Sequence, residues 1–101
     1  MRTPNRVVIF ISKADRDEAN QLLEANGFGP DNFNTEMEDG SFMFSAALQD
    51  WEKARIESLL SGLSTTSKLY PNDGTNPKEQ ILDAVSKEGK VIKPSTAALD
   101  G

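Results

Sequence analysis

Residues 6–12 read RVVIFIS. Val7 to Ile11 are five consecutive apolar residues, β-branched or aromatic, with no Gly or Pro among them. Such a run predicts a strand buried on both faces. Side chains alternate along a strand, so Val7, Ile9 and Ile11 share one face and Val8 and Phe10 the other. Both faces need a cover, because an exposed apolar patch marks an interface.

Ser12 ends this run and is expected to cap a helix over residues 13–27, KADRDEANQLLEANG. The early acids Asp15, Asp17 and Glu18 suit the positive end of a helix dipole. Ala19, Leu22 and Leu23 fall on one side. Gly27 sits where helices commonly end in a left-handed residue, with Phe28 folding back on the last turn and Pro30 preventing continuation. In NFNTEM (32–37), Phe33, Thr35 and Met37 alternate with polar neighbours, which predicts a half-exposed strand. Asp39-Gly40 signals a hairpin, and SFMFSAAL (41–48) is its apolar return strand.

Asp50 is the expected N-cap of a second helix, WEKARIESLLSGL. Ile56, Leu59, Leu60 and Leu63 make its apolar stripe, Gly62 marks its end, and Trp51 is placed in the core. Glu52 and Arg55 are spaced for a surface pair. TTSKLY (65–70) is a short polar strand, and 71–77 a loop. Asn76 then caps a third helix, with Pro77 at its first position and Glu79 closing a capping box. Ile81, Leu82 and Val85 are expected inward, with Gly89 as the stop. KVIKP is extended. Residues 1–93 are thus one α+β domain, and 94–101 a flexible C-terminal tail.

The order β-α-β-β-α-β, then α, is that of a ferredoxin-like split βαβ fold with an antiparallel sheet. The first and third strands would be central and the second and fourth would be edges. The apolar candidates are the first and third, and the polar ones the second and fourth, so pattern and topology agree. Two helices cover only one face of such a sheet. The third helix in cis or a partner chain in trans would cover the other.

Composition limits the chemistry. The 101 residues include no Cys and no His. Thiolate nucleophiles, disulfides and a Ser-His triad are excluded, and any metal site would be built from oxygen alone. A net charge of −5 disfavours binding to phosphate backbones. The apolar run at 7–11 is too short for a signal core or a membrane span, which points to a protein that stays in solution and is not exported.

No motif rises above a structural explanation. GFGPDNFN (27–34) carries two glycines but follows a helix, where the dipole is negative, and has no lysine at a P-loop position. DNFNTE fails the calcium spacing at Phe33, and NDGTN (72–76) lacks a bidentate glutamate, so both read as turns. The acids of KADRDE are read as first-turn dipole partners. A Ser-Lys arrangement stays formally open without a motif behind it. No catalytic, cofactor-binding or metal residue is nominated.

One resemblance extends over the first 40% or so of the chain. Asp15-Arg16-Asp17, Ala19-Asn20, Gly27, Gly29-Pro30 and Asn32-Phe33 form a pattern that resembles a set of small uncharacterised phage and prophage proteins. The resemblance implies a phage-encoded accessory or virion-associated protein, in the host cytoplasm or the virion. With no chemical motif to carry over, the expectation is a non-enzymatic protein acting through protein–protein contacts. Its contact surface would be the second sheet face, against a protein partner or another copy, or the hairpin around Phe42 and Phe44. The alternatives are a ligand-binding regulatory module of ferredoxin-like fold and an acidic inhibitor of a host nucleic-acid enzyme.

Overall fold

A computed structural model of the chain describes residues 4–29 and 32–93. Its elements run β1 (Asn5–Ile11), a 3-10 turn (Lys13–Asp15), α1 (Arg16–Ala25), β2 (Thr35–Glu36), β3 (Phe42–Leu48), α2 (Asp50–Leu59), β4 (Thr65–Tyr70) and α3 (Pro77–Lys87). The fold is α+β, with a four-stranded sheet in the order β2-β3-β1-β4 and every neighbouring pair antiparallel. The two apolar strands hold the centre and the two polar ones the edges, as their composition predicts. The tail assigned to 94–101 lies outside the described residues.

The alternation in β1 divides the core into two layers. Val7, Ile9 and Ile11 pack with Ala19 and Leu23 of α1, Ile56 of α2, and Leu60 just beyond it. Val8 and Phe10 pack on the opposite face with Met43 of β3 and with Ala84 and Val85 of α3. The third helix therefore covers the second sheet face in cis. Its inward arc differs from the sequence expectation: Gln80, Ala84 and Val85 are buried, Ile81 is partly so, and Leu82 is 50% exposed. The small Ala84 lets the helix backbone approach the sheet, and this rotates Leu82 outward.

Helix ends follow local chemistry, with corrections. Gly27 has φ +89°. Its N–H bonds to the Glu24 carbonyl at 3.1 Å and that of Phe28 to the Leu23 carbonyl at 2.9 Å, the paired bonds of a Schellman stop. Gly89 ends α3 in the same way, with Lys90 N–H bonded to the Val85 carbonyl at 2.9 Å. Ser12 does not cap α1: its hydroxyl bonds to Asp15 Oδ2 at 3.2 Å across the 3-10 turn, and α1 begins only at Arg16. Gln49, rather than Asp50, caps α2 through a box with Glu52, and the helix stops at Leu59, before Gly62. Gln49 is extended (ψ 159°), which places Asp50 in the first turn. Asn76 caps α3 by accepting the Lys78 N–H at 2.8 Å, with Pro77 in the first turn as expected, while Glu79 lies exposed.

The second strand is shorter than its alternation suggested. Only Thr35 and Glu36 pair with β3. Phe33 precedes the strand and is wholly buried in the first layer, whereas Met37 is wholly buried in the second. The Asp39-Gly40 turn forms, with Gly40 at φ +90° and its N–H on the Met37 carbonyl at 3.0 Å. Segment 91–93 adds to the outer edge of β2. Met37 and Ile92 form an antiparallel bridge, and Lys93 N–H bonds to the Glu36 carbonyl at 2.9 Å.

Candidate functional site

The described residues of the stretch from Arg16 to Phe33 are tied together in space. Arg16 and Asn20 lie one turn apart on α1 and hold the backbone of Phe33 from both sides. Arg16 Nε donates to the Phe33 carbonyl at 2.9 Å, and Phe33 N–H donates to Asn20 Oδ1 at 2.8 Å. Asn32 Nδ2 donates to the Gly29 carbonyl, which closes the loop on itself. The Phe33 ring then meets Phe44 with centroids 5.7 Å apart. Helix, stop and loop thus form one clamp that drives an aromatic side chain into the core. Its donors and acceptors face the protein's own backbone.

This clamp also occupies the hairpin aromatics that were expected to meet a partner. Phe44 is buried against Phe33, and the guanidinium of Arg16 lies over the Phe42 ring at 4.8 Å. Trp51, expected in the core, is 65% exposed at the start of α2. Trp51 stands five residues before Ile56, about 140° around the helix at 3.6 residues per turn, so it points away while Ile56 and Leu60 face the sheet. Glu52 bonds to the Gln49 N–H instead of to Arg55, and Arg55 reaches Asn26 at 3.4 Å. The surface pair on α2 is Lys53–Glu57, at 2.9 Å. Glu57 also accepts from Ser67 Oγ at 2.7 Å, tying α2 to β4. The Lys53 contact, helped by Ser67, lowers the Glu57 pKa.

The acidic cluster of 15–18 divides. Asp15 Oδ2 accepts the Ser64 N–H at 3.3 Å across to the loop after α2, while Asp17 stays on the surface beside Arg16. The NDGTN stretch is a turn: Asp73 Oδ1 accepts the Thr75 N–H at 2.9 Å, and Gly74 has φ +91°. Asp31 of the other stretch lies outside the described residues. No group of three His, Cys, Asp or Glu side chains able to hold a metal ion occurs among the described residues. No described helix is long and apolar enough to cross a membrane.

One serine and lysine do meet. Lys90 Nζ lies 2.9 Å from Ser41 Oγ and 2.9 Å from Asp39 Oδ2, and Ser41 Oγ donates to Asp39 Oδ1 at 2.6 Å. Ser41 and Lys90 border a cleft of about 220 Å³ at the end of β1, lined also by Ser12, Ser64 and Thr66. A serine nucleophile needs a base to take its proton. Here both serine and lysine are committed to Asp39. The Ser41 hydroxyl, then Lys90, hold the Asp39 carboxyl far below the usual carboxylate range. The arrangement clips the β2–β3 turn to the end of α3.

A groove of about 580 Å³ runs along the last turn of α3 and the segment after it. Leu82, 50% exposed, and Val91, 55% exposed, stand on its walls, with Val85 and Ile92 deeper. Among the described residues, Lys90 is the one charged residue lining it. Sequence reasoning placed Leu82 inside and gave Val91 no role. The alternation of Val91 and Ile92 in an extended segment was the available signal.

Comparison with protein-family models, with curated proteins and with solved structures yields no match.

Proposed function

We propose that the chain is a ferredoxin-like split βαβ domain with an added third helix, and that it acts as a non-enzymatic accessory protein by binding another protein. The strand order and the two crossover helices sharing one core layer support the fold reading. The contact surface is the groove between α3 and residues 89–92. It replaces the open second sheet face as the meeting place, because α3 now occupies that face. The observation that carries the reading is the pair Leu82 and Val91, two large apolar side chains half exposed on the walls of one groove.

The fitting occupant is an apolar side chain of a partner protein, carried on a segment narrow enough to lie along one helical turn. A phage origin, in the host cell or the virion, rests on the pattern from Asp15 to Phe33. Wild-type protein and the Leu82→Glu variant, each tagged and recovered from the native host, give the test by mass spectrometry of what co-purifies. A specific protein should accompany the wild type and a Leu69→Glu control, and be lost from Leu82→Glu. Recovery of the same proteins with all three would sink the proposal.

A further inference from the structure

A second pocket, of about 210 Å³, lies between the start of β1 and the N-terminal turn of α3. Arg6, Asn72, Thr75 and Gln80 line it, along with two prolines and Ala47. Among the described residues, Arg6 is its only charged side chain.

The arginine is poorly satisfied. A guanidinium carries five N–H donors in a planar fork suited to carboxylate or phosphate. Among the described residues, the Arg6 side chain makes one hydrogen bond, Nη1 to Ser45 Oγ, at 3.3 Å. Its Nε is buried with no hydrogen-bond partner. No carboxylate among the described residues reaches Arg6; the ion pairs made by Arg16, Lys53, Lys87, Lys90 and Lys93 leave it out.

Gln80 adds an independent sign. Among the described residues it is the one buried polar residue, 7% exposed, and its Nε2 reaches only the Pro71 carbonyl, at 3.5 Å. A buried amide at the outer limit of a hydrogen bond and a buried guanidinium nitrogen with none are each uncommon in a finished core. Both groups belong to the same pocket, on facing elements. An acceptor with two or more oxygens, placed there, would satisfy both.

We propose that this pocket binds a small oxyanion, a carboxylate or phosphate group, with Arg6 as its anchor and Gln80 as a second donor. The net charge of −5 argues against diffuse attraction of anions. Binding therefore depends on the local fork, and a lysine at position 6 would replace it poorly. This site lies apart from the Leu82 groove and stands or falls independently of it.

The experiment is a ¹H–¹⁵N NMR titration of the whole chain with sodium phosphate and, separately, sodium acetate, with sodium chloride as the control at matched ionic strength. Saturable shifts are expected for the backbone amides of Asn72 and Thr75, the Gln80 side-chain amide and the Arg6 Nε–H. Phosphate alone, acetate alone or both producing them distinguishes the source of the anion. Arg6→Gln should weaken binding about tenfold or more, the loss of a charge-assisted contact. Should that variant fail to fold, the wild-type Arg6 Nε–H signal decides alone. Shifts reproduced by chloride, spread over the surface lysines, or unchanged in folded Arg6→Gln overturn the proposal.

Discussion

The Phe33 amide donates to Asn20 Oδ1 at 2.8 Å across a sequence separation of 13 residues, with the Phe33 side chain wholly buried beyond it. The bond fixes where the loop after α1 enters the core, and the ring contributes most of the resulting burial. Phe33→Ala is expected to destabilise the fold by about 3–5 kcal/mol, through lost transfer energy and a residual cavity. Asn20→Ala should cost about 1–3 kcal/mol, because a buried N–H loses its acceptor. Urea unfolding monitored by circular dichroism measures both. A Phe33→Ala variant within about 0.5 kcal/mol of wild type, the range of ordinary surface changes, would contradict the clamp.

Asp39 should make stability depend on acid pH. Ser41, then Lys90, hold its folded pKa below the unfolded value of about 3.9, so folding is favoured when the group is ionised. The contribution is therefore complete above about pH 5 and lost as pH falls through the unfolded value toward the folded one. Its side chain is 50% exposed, and screening keeps the contribution small. The urea midpoints of wild type and Asp39→Asn should differ at neutral pH and converge in acid. A gap that stays constant with pH would count against the clip.

Tyr70 gives an alkaline counterpart with a direct spectroscopic signal, since it is the only tyrosine. Burial, and then its hydrogen bond to Asp83 at 2.9 Å, push its pKa up to about 12. The folded value exceeds the unfolded one of about 10, so its contribution is complete below about pH 10 and lost as pH rises through about 12. Phenolate absorbance should titrate late in the folded chain and near the ordinary value in urea. Asp83→Asn should bring the midpoint only part of the way back, because desolvation is the larger cause. Titration of the folded wild type at the ordinary value would refute the part-buried hydroxyl bonded to Asp83.

Neighbouring residues of α3 should respond very differently to the same change. Ala84 is wholly buried in the layer with Val8 and Phe10, whereas Leu82 is half exposed. Ala84→Glu places an unpaired charge against the sheet and should detach the helix. Dye binding to exposed apolar surface and light scattering should both rise. Leu82→Glu should change stability by no more than about 0.5 kcal/mol. Equal behaviour of the two variants would mean that α3 is rotated from the position described.

Much of this architecture was legible because it is written locally. The unbroken run from Val7 to Ile11 marked a two-faced central strand, Gly27 and Gly89 marked helix stops, and Asn76-Pro77 marked a helix start. What escaped depended on distant partners. Phe33 has a strand-like neighbourhood, and only Arg16 and Asn20 reveal that it turns inward before the strand begins. Trp51 looks like a core residue by type, but with Ile56 and Leu60 facing the sheet its place on the helix turns it to the far side. Helical spacing offered Leu82 as readily as Ala84; the sheet's need for close approach chose the smaller side chain. Of the groove residues, Leu82 and Val85 were expected inside and only Val85 is buried; the bridge of Ile92 to Met37 joins segments far apart in the chain, and local spacing does not name that partner.

The cover over Val8, Phe10 and Met43 comes from residues 77–92, near the C-terminal side of the chain, while the strand it protects is near the beginning. During synthesis all four sheet strands emerge before that cover does. For that interval the nascent sheet carries an uncovered apolar face, the condition under which growing chains aggregate or engage chaperones. Ribosome-bound chains stalled after Tyr70 should therefore be more chaperone-dependent than chains long enough to expose α3. The helix that looks like an appendage to a finished sheet is, in the order of synthesis, the step that ends its vulnerability.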